Sequence, residues 1–173
     1  MLKDRSDAYE LLKKIGAPDH LILHAQLVGE VADQLLLGFQ PLGLSCDVHL
    51  VELGAAIHDY GKTRHLNELY EPGSMHEHAG QEILFEHGVQ PEVARFCASH
   101  GTWDSPEVSL EELIVALADK LWKGKREADL ELCVIDEIAL RTGLSRWDIF
   151  AQLDTTFEEI AAGGEERLRR SIG

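Results

Sequence analysis

Apolar residues recur along the chain at intervals of three and four, the spacing of helices that bury one face. One such run begins near Pro18 and ends before Gly38. Its apolar stripe consists of Leu21, His24, Val28, Val31 and Leu35. The same spacing predicts a helix ending near His58, one over residues 75–85 and one between residues 91 and 100.

The chain after residue 101 continues the helical pattern. Ser109 and Glu112 have the spacing of a capping box that opens a strongly apolar helix. Two further helices are predicted over residues 128–142 and 145–162, whereas residues 61–74 form an irregular stretch that we expect to border a site. Alternation typical of strands is missing, so the pattern predicts an all-α fold. We expect one domain over residues 1–173.

Several predicted helices carry polar side chains on their inward faces or at their ends. These are His24, His58, Asp59, His78, His100 and Asp119. A single histidine on an apolar face is usually a hydrogen-bonded core residue, but a buried carboxylate must be paired, protonated or bound to a cation. Too few inward lysines or arginines are present to pair all of these groups. A metal centre is therefore favoured, and histidine with carboxylate but without thiolate suits iron, manganese or zinc.

The net charge limits the class of partner. The 173 residues carry a formal charge of -15, which argues against extended binding to nucleic acid or to an anionic membrane. An anionic substrate would need a local cationic feature. Candidates are Lys62, which follows the His-Asp pair, and the group Lys120, Lys123, Lys125 and Arg126. Each of these residues could equally be an ordinary charged surface residue.

The cysteines and the N-terminal sequence indicate in which cellular compartment the protein is expected. Cys46, Cys97 and Cys133 are widely spaced and odd in number, so neither a disulfide framework nor a thiolate zinc site is indicated. No stretch approaches the roughly twenty apolar residues of a membrane span, and no leader is evident. We expect a soluble cytoplasmic protein without a membrane partner, and the oligomeric state stays open.

The order His24, His58-Asp59, His78, His100, Asp119, together with the His-Asp-x-Gly-Lys run and His78-Ala79-Gly80, resembles the HD domain superfamily. The resemblance covers about residues 20–125 and not the helices over about residues 128–171. It implies that His24, His58, Asp59 and Asp119 hold one metal ion, while His78 and His100 hold a second one bridged by Asp59. It favours two divalent ions, iron or manganese first, with zinc, nickel, cobalt or magnesium as alternatives.

The resemblance also implies a reaction. The leading hypothesis is a metal-dependent phosphohydrolase that uses activated water on a nucleotide or a nucleotide-ended phosphoester, RNA ends included. Asp59 and Lys62 would be catalytic, and Lys62, His76, Lys120 and Lys123 would contact the substrate. The alternatives are a di-iron oxygenase, since some relatives with this ligand set activate dioxygen, and a non-catalytic nucleotide-binding module.

Overall fold

A computed structural model describes residues 1–172, apart from the side chains of Leu66 and Leu69. The α-helices are α1 (Arg5–Lys14), α2 (Asp19–Phe39), α3 (Val48–Ile57), α4 (Met75–Glu86), α5 (Pro91–Ala94), α6 (Phe96–Ser99), α7 (Leu110–Leu121), α8 (Ala128–Thr142), α9 (Arg146–Ala162) and α10 (Gly164–Ile172). Short 3₁₀ turns span Gln40–Leu42, Tyr60–Thr63 and Leu66–Leu69. Over the described part of the chain no strand forms, and the all-α prediction is confirmed.

Helix α2 is the central element, because it packs against α1, α3, α7 and α9. The predicted stripe is confirmed, since Leu21, Val28, Val31 and Leu35 are all buried. His24 lies on the same face but is partly exposed. The helix that carries most of the core contacts therefore also presents a histidine at the edge of that core.

Two details of the sequence fix the neighbouring helices. The ring of Phe96 fills the space that a side chain at position 54 would need, so Gly54 lets α3 and α6 approach closely. Helix α7 begins with the predicted capping box: Ser109 Oγ accepts from the Glu112 backbone N–H at 3.3 Å, and Glu112 accepts from the Ser109 N–H at 2.8 Å. Gly54 thus sets how closely α3 and α6 approach, and the capping box fixes where α7 begins.

The C-terminal helices dock on the end of α7. The Arg167 guanidinium of α10 is buried and donates to the carbonyls of Trp122 at 2.7 Å, Leu121 at 3.0 Å and Ile160 at 2.5 Å. These carbonyls belong to helix ends, which lack intrahelical donors. Among the described residues, no helix is long and apolar enough to cross a membrane.

Candidate metal centre

The His-Asp pair lies where α3 stops. His58 is the C-terminal cap of the helix, and Asp59 (φ -103°, ψ 7°) has already left the helical conformation before the turn Tyr60–Thr63 begins. Neighbouring residues in a continuous helix point about 100° apart. Because the helix ends here, both side chains reach one site.

The first group of candidate ligands consists of His24, His58, Asp59 and Asp119. His24 Nε2 lies 3.1 Å from Asp59 Oδ2 and 3.3 Å from Asp119 Oδ1. His58 Nε2 lies 3.3 Å from the same oxygen of Asp119. Residues from α2, from the end of α3 and from α7 therefore meet around one point, as the sequence led us to expect.

The second group consists of Asp59, His76 and His100. Asp59 Oδ1 is 3.3 Å from Nε2 of His76 and 3.3 Å from Nε2 of His100. The two Nε2 atoms are 3.4 Å apart. The oxygens of one carboxylate thus face different groups, Oδ2 the first and Oδ1 the second.

His78 does not lie at the metal centre, where the resemblance implied that it would be a ligand. His78 is exposed and lies outside both groups, while His76 is buried and faces Asp59. Residues two apart on a helix point about 200° apart, so α4 can present only one of these histidines to the site. His76, which the sequence analysis assigned to substrate, thus occupies the position expected for His78.

Backbone packing explains why His76 faces inward. At Gly61, in the turn after the His-Asp pair, the carbonyl of His76 occupies the place of a Cβ atom, and the Gly80 nitrogen would lie 2.7 Å from that Cβ. Any side chain at position 61 would push α4 away. The glycine of the His-Asp-x-Gly-Lys run and Gly80, one turn beyond His76, therefore fix the face of α4 that meets Asp59.

Three of the four histidines have their second ring nitrogen held by an acceptor. Nδ1 of His58 donates to the Ala55 carbonyl at 2.9 Å, and Nδ1 of His100 donates to the Phe96 carbonyl at 3.1 Å. A carbonyl can only accept, so the proton sits on Nδ1 and the Nε2 lone pair points into the site. This is the arrangement by which proteins orient metal-binding histidines.

Glu68 holds the third histidine and was missed by sequence reasoning. Its carboxylate is 2.6 Å from His76 Nδ1 and also accepts the backbone N–H groups of Met75 at 2.9 Å and His76 at 3.0 Å. Burial raises the pKa of Glu68, but these donors lower it below its usual value. Glu68 therefore caps α4 and orients His76 at once. A glutamate eight residues before its partner, in an irregular loop, carries no periodic signal.

The buried polar atoms of the site fit a cation. Within the described residues, His24 Nε2 and Asp59 Oδ1 are buried and make no hydrogen bond. Lone pairs of imidazole nitrogen and carboxylate oxygen about 3 Å apart repel each other unless a proton or cation lies between them. Nitrogen and oxygen donors without sulfur suit divalent metals such as iron, manganese or zinc. The residues present therefore fit divalent metal ions.

The electrostatics of the site lead to the same conclusion. Burial raises the pKa of Asp59, but its interactions with His58, His100 and His24 hold it well below its usual value. Burial lowers the pKa of His24, yet its two carboxylate neighbours raise it to about 9. Burial also raises the pKa of Asp119, but its contacts with His24 and His58 hold it well below its usual value. Both carboxylates therefore stay ionised and attract a cation, and a metal ion must displace a proton from His24.

The predicted cationic residues are not equivalent. Lys62 Nζ binds Asp59 Oδ2 at 2.7 Å, and the ion pair keeps the pKa of this lysine raised despite burial. Arg126 is engaged elsewhere, with Glu131 and with two carboxylates of α9, so it does not belong to a group that awaits a substrate. Lys120 is partly buried and Lys123 is exposed; their contact with substrate remains a prediction.

Comparison with known proteins places these observations in a family. Residues 18–122 match the family model of the HD domain. The chain is 30% identical over 149 residues to a tRNA (cytidine(56)-2'-O)-methyltransferase of Thermoplasma volcanium, covering 78% of this chain but only 41% of that protein. It is 30% identical over 139 residues to an uncharacterized protein of Methanocaldococcus jannaschii, covering 72% of this chain and 78% of that protein. No solved structure matches the chain significantly.

Replacing Glu68 by alanine should loosen His76 and remove the cap of α4. We expect Mn²⁺ affinity to fall roughly 10- to 100-fold, the usual effect of losing a partner that orients a metal ligand. The free energy of unfolding should fall by about 1 kcal/mol, the typical effect of losing a helix cap. Metal titration and thermal unfolding of Glu68→Ala measure both, with the exposed Glu71→Ala as control. Unchanged metal affinity in Glu68→Ala would contradict this role.

Proposed function

The chain belongs to the HD domain family, and from that premise we propose that it is a metal-dependent phosphohydrolase acting on a nucleotide or a nucleotide-ended phosphoester. The observation that carries the proposal is the Asp59 carboxylate, whose oxygens face two separate groups of ligands. A purely structural ion needs one closed ligand set and no shared carboxylate. Two ions bridged by Asp59 suit a site for chemistry.

The remaining ligands follow from the geometry. His24, His58 and Asp119 would complete the first ion's set, and His76 with His100 the second's. Metal ions in such a pair supply an activated water and neutralise charge that builds on a phosphoryl oxygen. Because each ion would have few protein ligands, coordination positions would remain free for water and substrate. We expect manganese or iron, as the donor atoms favour, with zinc, nickel, cobalt or magnesium as alternatives.

The chain's own cation at the site is Lys62. Its side chain is partly exposed, and its ammonium group lies against the carboxylate that both groups share. An ammonium in this place can move its contact from Asp59 to a phosphoryl oxygen without losing a partner, and it offers three donors for the exchange. In a chain of formal charge -15 such a local cation is needed to hold an anion. Lys120 and Lys123, on or just after α7, are the further candidates.

The relatives widen the range of substrates to be tried. One of them is named as a tRNA methyltransferase, and this chain spans 41% of its length. We do not propose methyl transfer for this chain, because its site is a cluster of side chains of the types that bind metal ions. The likeness is a reason to include RNA-end phosphates and short oligonucleotides among the phosphoesters.

Hydrolysis itself is the first test. The purified, Mn²⁺-loaded chain should release phosphate or nucleotide from at least one member of a panel of nucleotides, cyclic phosphodiesters, dinucleoside polyphosphates and RNA ends, equally well without oxygen. Asp59→Ala should lower the rate by at least a hundredfold, because coordination and charge balance are both lost, while circular dichroism stays helical. Oxygen consumption with no phosphoester turnover would favour the oxygenase instead.

Metal content provides an independent test. Elemental analysis should find two ions per chain in the wild type and a reduced content in His76→Ala, because that histidine faces only the second group. The matched control is His78→Ala, two residues away on the exposed face of α4, which should keep both ions. At most one ion in the reconstituted wild type, or loss of metal in His78→Ala alone, would overturn the assignment.

Lys62→Ala separates catalysis from attraction. If the ammonium contacts a phosphoryl oxygen in the transition state, kcat and kcat/KM should fall together by about ten- to a thousandfold, since such a contact is worth roughly 1.5–4 kcal/mol. If it only attracts anions, KM alone should rise and the effect should fade at high salt. Steady-state kinetics at two ionic strengths distinguish these outcomes. Wild-type kinetics in the variant at both salt concentrations would show that Lys62 takes part neither in catalysis nor in attraction of the substrate.

A further inference from the structure

Among the described residues of the metal centre, some are buried and others are partly open to solvent. Four of the candidate ligands have side chains that are at most 7% exposed, namely His58, Asp59, His76 and His100. The side chains of His24 and Asp119 are 18% and 21% exposed. Lys62, bonded to Asp59, is likewise partly exposed. A substrate must therefore approach past His24, Asp119 and Lys62. Side chains next to these residues can select what enters.

An aromatic pair includes His20, which stands one helical turn before His24 on α2. Tyr70 is 82% exposed, and its ring centroid is 6.4 Å from that of His20, with the ring planes inclined by 32°. Tyr70 directly follows the turn Leu66–Leu69, which also contains Glu68, the partner of His76. His20 lies on α2, four residues before His24. Tyr70 thus lies next to the turn that orients His76 of the second group, and His20 lies on the helix that carries His24 of the first group.

The position of the pair matches the dimensions of a nucleotide. Four residues along a helix correspond to one turn, about 6 Å along the axis, so His20 lies about one turn beyond the ligand His24 on nearly the same face. In a nucleotide the ribose separates the phosphate from the base by a similar distance. Stacked rings lie about 3.4 Å apart, so a base between the two rings needs roughly 6.8 Å. The centroids are 6.4 Å apart and the planes are inclined, so the rings must separate slightly and turn to admit a base.

We propose that Tyr70 and His20 form a clamp for the base of the substrate, which stacks against the two rings while its phosphate lies at the metal centre. This proposal rests on the proposed function for the place of the phosphate, and it assigns two residues of this chain to recognition of the base. Stacking recognises any base, because every base presents a π face. The clamp therefore selects nucleotides over sugar phosphates without choosing among the bases.

Binding of two phosphonates to the Mn²⁺-loaded full chain tests the clamp. One is the adenosine 5′-phosphonate in which a methylene group replaces the ester oxygen, so that it resists hydrolysis, and the other is the matching ribose compound without a base. The wild type should bind the adenosine compound more tightly. Tyr70→Ala and His20→Ala should each weaken its binding roughly five- to a hundredfold, the usual effect of removing a ring that stacks on a base. Binding of the ribose compound should not change.

Tyr70→Phe should retain tight binding, because its ring can still stack. Trp147→Ala serves as the matched control, since Trp147 is another exposed aromatic residue, 78% exposed, at the start of α9; it should bind both compounds like the wild type. Equal wild-type affinity for the two compounds, or equal weakening of both by Tyr70→Ala, would overturn the clamp. Base-dependent binding without any phosphoester hydrolysis would instead leave the clamp standing and refute the proposed reaction. Phosphoester hydrolysis without any preference for compounds that carry a base would support the proposed reaction and refute the clamp.

Discussion

Burial of one ionised carboxylate is the constraint on which the site depends. Asp59 is 3% exposed, and an isolated carboxylate in such a place would be strongly destabilising. Four imidazole rings and the ammonium group of Lys62 surround it. Those groups come from α2, from the end of α3 and the turn after it, from α4 and from the end of α6. The charge of Asp59 is therefore tolerable only when these segments are in place around it.

Close backbone contacts supply the precision that this arrangement requires. Gly54 admits the ring of Phe96, and Gly61 admits the backbone of α4. Both contacts lie within a few residues of Asp59, on opposite sides of it in sequence. A side chain at either glycine would clash with these neighbours, so the segments would have to move apart. The small residues near the His-Asp pair are therefore part of the site's geometry, although they carry no reactive group.

Charge is distributed so that the site differs from the rest of the molecule. The chain is strongly acidic, yet its buried centre gathers histidines and a lysine around two carboxylates. Metal ions bound there would add positive charge beside the partly exposed His24 and Lys62. An anionic phosphoester would then be attracted to the centre itself. General repulsion by the surface would disfavour long polyanions more than small ones.

The sequence by itself determined the all-α fold, the capping box of α7, the central stripe of α2 and the family, although it predicted one helix between residues 91 and 100 where the structure has α5 and α6. It also indicated five of the six side chains that gather as candidate ligands, because these stand at helix ends or in apolar stripes where periodicity is informative. The tertiary structure alone decided between His76 and His78. Each could lie on a helix face, and only the docking of α4 onto Gly61 fixes which face is turned inward. The same limit applies to Glu68, to Arg167 and to the pairing of Tyr70 with His20, since contacts between a loop and a distant helix leave no period in the sequence. Local spacing determines what a helix can present, and packing between helices decides what it meets.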